Sequence, residues 1–460
     1  MLGGLMAELR PLPLFAGPFT TLDGRYSAFA DGKVLRVGLK MNTPPTCNWK
    51  CPYCYAGDPE LHGRPRQPTV MTANESGSVP LHRDPAWERR MEGWLEQAIA
   101  LGLQAVTVNG TFEPLAAPDW QDTISFLQRR GIAVTLVTNG GLLTPESIDW
   151  IVASGVNLLT KLNVPVVGPD DPRRARLAEV QKYLSGLPRD AETVYARQIA
   201  LIERLEVAGL TVTDEPGRTR LGVESVIARD NLEFLPELVA QLRERNIYSH
   251  IELSKLQGFA RTNPHLVIRR AEIEELFETV RRQDAAMGYE PYQAKPPCLA
   301  GACYENLYRL DLHADGAVRP CPGIETTIGD LNRQPLAEVL GSPALAVIRN
   351  LDDHIQGDCR DCDLLATRQC YGGCRGTAYQ AMANSGRGEY ERWTASDPSC
   401  WRVHRVLDDG TLAQDVLDRA LTTDEIARLR LPDLVEAGAA GAAGAIGAIG
   451  AAGATGEGAR

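Results

Sequence analysis

The sequence predicts a parallel α/β domain followed by a cysteine-rich, metal-binding domain. Between about residues 35 and 260, six short apolar runs rich in β-branched residues alternate with segments of helical periodicity, as a parallel α/β architecture requires. Three closely spaced cysteines, Cys47, Cys51 and Cys54, follow the first of these runs. The other cysteines of the chain lie between Cys298 and Cys400, so they form a second, separate group.

Each predicted element has a local signature. The predicted strands are Val34–Met41, Ala105–Asn109, Ala133–Thr138, Asn157–Asn163, Leu221–Ile227 and Ser249–Leu253. The predicted helices begin at Pro85 and Pro145, and two more span Leu232–Arg245 and about Arg269–Met287. The capping residues Asp84 and Thr144 precede the two prolines, and Gly102 and Gly155 end these two helices.

Composition excludes several classes of protein. With 460 residues and 44% hydrophobic content, the chain can bury a full-sized core and more than one domain. The segment Met1–Gly17 carries Glu8 and Arg10, so it offers neither a signal peptide nor a membrane span, which predicts a cytoplasmic protein without a membrane partner. The 11 cysteines then indicate metal ligands rather than disulfides. A net charge of −11 argues against a nucleic-acid partner.

The first cysteine group, in the segment Thr46–Tyr55, has gaps of three residues and then two between its thiols. A loop this tight can turn three thiolates onto one iron–sulfur cube and leave the fourth iron open, whereas electron-transfer clusters take four cysteines. Zinc needs four ligands, and the nearest histidine, His62, has no matching spacing. Disulfides between cysteines this close would be strained. The pattern therefore indicates a cluster built for chemistry at the metal.

This spacing, with Tyr53 just before the third cysteine, resembles the radical S-adenosylmethionine (radical SAM) superfamily. The resemblance implies that Cys47, Cys51 and Cys54 hold a catalytic 4Fe-4S cluster whose open iron binds S-adenosylmethionine. One electron from the cluster would cleave this cofactor to a 5′-deoxyadenosyl radical. The resemblance also implies a partial (β/α)6 barrel with its site at the carboxyl ends of the strands.

The second cysteine group resembles the SPASM domain, which carries two auxiliary 4Fe-4S clusters. The resemblance implies one cluster on Cys298, Cys303, Cys321 and Cys374, and another on Cys359, Cys362, Cys370 and Cys400. Three 4Fe-4S clusters would then use every cysteine. A hairpin is predicted to turn at Asp315-Gly316. A zinc ribbon over Cys359–Cys374 is the alternative, but it leaves half of the group unexplained.

These features predict five regions along the chain. They are an N-terminal extension (1–34), a radical SAM partial barrel (35–288), a SPASM domain (289–405), a helical segment (406–435) and a disordered Gly/Ala-rich tail (436–460).

Several strand ends supply candidate contacts to S-adenosylmethionine. The segment Asn109–Leu115 resembles the family's Gly-Gly-Glu-Pro signature, with Gly110 and Thr111 offering backbone and Glu113 receiving the ammonium group. The resemblance further implies that Lys161 or Asn163 and Ser225 meet the carboxylate and ribose, and that Tyr53 approaches the adenine. The alternative for each residue is an ordinary solvated strand end.

The leading functional hypothesis is hydrogen-atom abstraction and oxidative modification, by cross-linking or dehydrogenation, of a peptide or protein side chain, with an external electron donor of the flavodoxin or ferredoxin type. Pro322 after Cys321 argues against sulfatase maturation, and the lack of a spare cysteine argues against epimerisation. Only 46 residues precede Cys47, which leaves open a small-molecule substrate such as an aminocyclitol or aminosugar. An iron–sulfur scaffold or electron carrier is the alternative from another class.

Overall fold

A computed structural model describes residues 9–17, 32–41, 47–55, 85–109, 113–255, 257–301 and 303–403. Its strands are β1 Leu14–Phe15, β2 Arg36–Lys40, β3 Ala105–Val108, β4 Ala133–Val137, β5 Asn157–Lys161, β6 Arg218–Thr219, β7 Leu221–Ile227, β8 Tyr248–Leu253, β9 Arg309–His313, β10 Ala317–Arg319 and β11 Gly329–Asp330. The predicted regions 406–435 and 436–460 lie outside the described residues.

Six of these strands form the predicted partial barrel. Strands β2, β3, β4, β5, β7 and β8 pair in that order, and every pairing is parallel. This arrangement confirms the α/β fold class. The Leu221–Ile227 strand coincides with its prediction. Four others differ from theirs by one or two residues at one end, and β2 is shorter than predicted at both ends.

The longer helices, α1–α7 in chain order, are Pro85–Ala100, Trp120–Gln128, Pro145–Ser154, Arg174–Ser185, Ala191–Val207, Leu235–Glu244 and Arg270–Ala286. Thr144 and Ser147 form a reciprocal cap at the start of α3, and Gly155 ends α3 with φ 76°, as predicted. The predicted helix Leu232–Arg245 instead begins with a 3₁₀ turn over Leu232–Phe234. Helix α2, and helices α4 and α5 between β5 and β7, were not predicted. No helix in the described ranges is long and apolar enough to cross a membrane.

The two faces of strand β2 have opposite characters. Val37 and Leu39 pack into the main hydrophobic core that also contains residues of the surrounding helices. Because side chains alternate along a strand, Arg36 and Lys40 point into the barrel. At the amino end of the barrel, Phe15 packs on the ring of Tyr248 at 4.7 Å between centroids.

The cysteine-rich segment extends the barrel sheet. Strand β9 pairs in parallel with β2, and β10 turns back against β9 through Gly316 at φ 91°, which confirms the predicted hairpin. Gly38 of β2 faces Asp311 of β9, and an added Cβ at Gly38 would lie 2.1 Å from Asp311 Oδ1. Short helices complete this part: α8 Leu336–Leu340, α9 Pro343–Ile348, α10 Leu351–His354, α11 Asp363–Ala366, α12 Arg375–Asn384 and α13 Glu389–Thr394.

Candidate active site at the carboxyl ends of the barrel strands

The loop of the first cysteine group is held by backbone contacts to the barrel. Lys50 N–H donates to the Ser185 carbonyl at 3.1 Å, and Phe259 N–H donates to the Cys54 carbonyl at 2.8 Å. Gly186, which ends α4 at φ 62°, packs so closely that an added Cβ would lie 1.9 Å from the Lys50 carbonyl oxygen. The end of α4 therefore supports the loop beyond β2.

The three thiols of this loop lie close enough to influence one another. Burial raises the pKa of Cys47, and the charges of Glu113, Cys51 and Cys54 raise it further. Burial also raises the pKa of Cys51 to about 12, with a further contribution from Cys54. Buried thiols of this kind ionise when a metal supplies compensating charge. The donor set therefore fits a thiolate-bound cluster.

Glu113 is buried beside this group and already accepts three hydrogen bonds. Thr138 Oγ1 and Leu115 N–H donate to its Oε1 at 2.6 and 3.1 Å, and Asn139 N–H donates to Oε2 at 2.9 Å. Burial raises the pKa of Glu113 to about 7, against the lowering effect of these hydrogen bonds. Gly110 and Thr111, the other predicted cofactor contacts of this segment, lie outside the described residues.

The structure brings two more of the predicted cofactor residues into contact and gives the others separate partners. Tyr53 donates its hydroxyl to Asn163 Oδ1 at 3.4 Å. Within the described part of the chain, the buried Nδ2 of Asn163 has no hydrogen-bond partner. Lys161 pairs with Glu224 at 2.5 Å, and its charge lowers the pKa of Cys51. The Ser225 hydroxyl already donates to the Leu162 carbonyl.

Charged residues inside the barrel form a polar cluster that the sequence analysis missed. The Lys40 and Lys255 ammonium groups lie 5.7 and 5.8 Å from the ring centroid of Tyr55, which follows Cys54. Burial lowers the pKa of Lys40 to about 8. Lys40 Nζ lies 3.7 Å from Asp311 Oδ2, and this buried oxygen accepts no hydrogen bond from the residues described. Barrel interiors are usually filled by branched apolar side chains, so these buried charges indicate a functional rather than a purely structural role.

Among the cysteines of the second group, Cys374 associates with residues distant in sequence. Beyond the effect of burial, the charges of Cys303 and Cys374 raise the pKa of Cys298, and the same two thiols raise that of Cys321. Cys374 caps helix α12, where its Sγ accepts the Thr377 N–H at 3.4 Å. Four thiols thus converge beside the β9–β10 hairpin, a set that fits one four-cysteine cluster.

Three of the remaining cysteines, Cys359, Cys370 and Cys400, lie close to one another. Burial raises the pKa of Cys400, and the charges of Cys359 and Cys370 add to this effect. Cys362 is more exposed, and Arg402 donates to its Sγ at 3.7 Å. All 11 cysteines have free thiols in the structure. Their assignment to particular clusters stays a prediction.

Comparisons with known proteins identify the class. The model of the radical SAM superfamily matches residues 41–216, which contain the three-cysteine loop. The chain belongs to this superfamily and is a radical SAM enzyme, so the carrier alternative is set aside. The model of the SPASM iron–sulfur cluster-binding domain matches residues 303–363, which places the chain in the SPASM subgroup. These two domains bind S-adenosylmethionine and iron–sulfur clusters.

Two curated relatives are named PqqA peptide cyclase. The protein of Ruegeria pomeroyi is 25% identical over 374 residues, which cover 77% of this chain and 84% of the relative. That of Streptomyces rochei is 25% identical over 400 residues, covering 82% and 93%. An AdoMet-dependent heme synthase of Methanosarcina barkeri is also 25% identical, over 63% of this chain and 82% of its own length.

Solved structures share the fold. SuiB of Streptococcus suis, bound to S-adenosylmethionine, superposes with a TM-score of 0.52 at 16% identity, over 80% of this chain and 78% of SuiB. The AdoMet-bound protein anSMEcpe gives 0.51 at 14% identity, over 75% and 90%. These likenesses confirm the barrel architecture.

Proposed function

We propose that this enzyme oxidatively modifies a peptide or protein side chain, by cross-linking or dehydrogenation. The observation that carries this proposal is the similarity to two PqqA peptide cyclases over most of both chains. A small-molecule substrate is the second candidate, favoured by the similarity to a heme synthase.

The first cysteine group would hold the cluster that binds S-adenosylmethionine. Once bound, this cofactor supplies the radical that abstracts a hydrogen atom from the substrate. Glu113 would receive the cofactor's ammonium group, since its carboxylate lies beside Cys47. Gly110 and Thr111 would approach the cofactor through their backbone. Lys161, Asn163, Ser225 and Tyr53 would meet its carboxylate, ribose and adenine.

The SPASM cysteines would hold two auxiliary 4Fe-4S clusters, making three in all. An oxidative outcome needs an acceptor for the second substrate electron. A cluster on Cys298, Cys303, Cys321 and Cys374 would be next to the barrel, because Cys298 bridges to Glu252 of β8. An external flavodoxin or ferredoxin would reduce the first cluster. The polar cluster of Lys40, Lys255 and Asp311 would face a polar part of the substrate, because Asp311 Oδ2 is a buried acceptor that receives no hydrogen bond from the described residues.

The test is anaerobic incubation of the enzyme with S-adenosylmethionine, dithionite and synthetic peptides translated from short reading frames beside its gene. The proposal predicts 5′-deoxyadenosine together with a peptide that has lost hydrogen, and neither product in Cys51→Ala. Steady 5′-deoxyadenosine release with every peptide unchanged, and a modified small molecule from cell extract, would instead favour the second candidate.

A further inference from the structure

The carboxyl end of strand β8 lies directly against Cys298. Leu253 N–H donates to the Pro297 carbonyl at 3.1 Å, and Leu299 N–H donates to the Ile251 carbonyl at 2.9 Å. Glu252 consequently pairs with Cys298 in an antiparallel bridge. The ligand atoms of His250, Glu252 and Cys298 all lie within 4.8 Å of one another. A fixed carboxylate therefore adjoins one thiol of the Cys298 group.

Lys255 carries the opposite charge to the same place. Its Nζ lies 2.9 Å from Glu252 Oε2, and the two side chains are only 11% and 16% exposed. The stem of Lys255 packs on the turn after Cys321, where an added Cβ at Gly323 would lie 3.0 Å from Lys255 Cδ. Because this ammonium already neutralises Glu252, the trio with His250 is a poor separate site for a divalent cation.

The two charges act on the thiols in opposite directions. The Glu252 carboxylate lies within 4.8 Å of the Cys298 thiol and disfavours further negative charge there. Lys255, whose Nζ lies 2.9 Å from Glu252 Oε2, favours negative charge at the same place. Because reduction adds an electron to a cluster, the Glu252 carboxylate should oppose the reduction of a cluster bound at Cys298 and the Lys255 ammonium should promote it. Partly buried charges a few ångströms apart interact far more strongly than charges in water.

We propose that Glu252 and Lys255 set the reduction potential of the cluster held by Cys298, Cys303, Cys321 and Cys374. Glu252 lowers this potential and Lys255 raises it, since cluster potentials respond to nearby charge and exposure. The inference rests on the proposed function, in which this cluster accepts the substrate electron. Both are positioning residues that act through the cluster.

Lys295 provides a matched control at the other auxiliary site. Its charge lowers the pKa of Cys370, a member of the second auxiliary group. Its ammonium donates to the Gln293 carbonyl at 3.2 Å. Lys295→Met removes the same charge as Lys255→Met, but beside a different set of thiols.

The test is a redox titration of the full chain, reconstituted anaerobically with iron and sulfide and followed by electron paramagnetic resonance. The signal that Cys298→Ala abolishes identifies the cluster in question. We expect its midpoint potential to rise in Glu252→Gln, to fall in Lys255→Met and to stay near the parent value in Lys255→Arg. Lys295→Met should shift only the other auxiliary signal.

Unchanged potentials, or shifts of the same sign in Glu252→Gln and Lys255→Met, would overturn the inference. Iron content and circular dichroism show whether each variant keeps its fold, and the near-isosteric Glu252→Gln decides the matter if Lys255→Met loses iron. Normal peptide product with unshifted potentials contradicts this inference alone. Opposite shifts in the two variants, together with a parent enzyme that forms no peptide product, contradict the proposed function and support the inference.

Discussion

Replacing Glu113 by Gln tests the proposed ammonium site with the smallest change in shape. Both oxygens of Glu113 accept hydrogen bonds from the chain, so the carboxylate is held in one orientation before any cofactor binds. Gln keeps the volume and removes the charge that would pair with an ammonium group. The Gln amide oxygen can still accept from Thr138 and Leu115, which leaves only the Asn139 N–H facing an amide NH2. Glu113→Ala would leave all three donors without an acceptor, so we expect it to reduce stability more than Gln does.

The magnitude follows from the loss of one charge-assisted hydrogen bond, worth about 1.5–3 kcal/mol. The dissociation constant of S-adenosylmethionine should therefore rise roughly 10- to 150-fold in Glu113→Gln, at about 1.4 kcal/mol per factor of ten. The pKa of Glu113 near 7 adds a pH dependence. As the pH falls below 7, the Glu113 carboxylate takes up a proton. The affinity of the parent enzyme for S-adenosylmethionine should therefore weaken, while the affinity of Glu113→Gln should stay constant.

Anaerobic titration calorimetry with the reconstituted enzyme measures both effects between pH 6 and pH 8, a window of about one unit on either side of that pKa. Glu146→Gln is the control, because Glu146 lies in the first turn of α3, away from the loop. Equal affinities of parent and Glu113→Gln at pH 8, with equal iron content, would refute the assignment of the ammonium site.

Three further predictions concern the clusters and the junction between the two domains. Iron assay of the protein purified without oxygen should find about 12 irons per chain. Replacing Cys47, Cys51 and Cys54 together by Ala should remove about four of them. A protein that contains zinc and no inorganic sulfide would contradict this prediction. Cys374→Ala should still release 5′-deoxyadenosine but form no peptide product, and full product formation would make the auxiliary clusters structural. Gly38→Ala should lower the free energy of unfolding by about 1–3 kcal/mol in denaturant titrations, because the added Cβ would clash with Asp311. Gly93→Ala is the control: Gly93 lies in α1 with open space around it, so this change should not destabilise the fold.

The barrel strands were predictable because each is a short apolar run between helix signals. The same apolar runs concealed the polar cluster, since Arg36 and Lys40 only flank the run within β2. Lys40 meets Asp311 and Arg36 meets Glu305 because β9 pairs in parallel with β2. No local pattern encodes a pairing between residues so distant in sequence.

The predicted separation of Cys370 from Cys374 into two clusters is compatible with the backbone between them. Gly372 and Gly373 both have φ 69°, a conformation that favours glycine and reverses the chain just before α12 begins. An added Cβ at Gly373 would lie 2.3 Å from Asp397 Oδ2, and this carboxylate accepts the Cys374 N–H at 2.6 Å. Spacing alone favours grouping these two cysteines, and only the family resemblance predicted their separation.

The most direct test of the account follows the abstracted hydrogen atom. Peptide substrate deuterated at its side chains is incubated anaerobically with the enzyme, S-adenosylmethionine and dithionite, and the 5′-deoxyadenosine is analysed by mass spectrometry. We predict one deuterium in 5′-deoxyadenosine for each modified peptide, and none in Cys51→Ala. Modified peptide accompanied by unlabelled 5′-deoxyadenosine would contradict hydrogen abstraction from a peptide side chain.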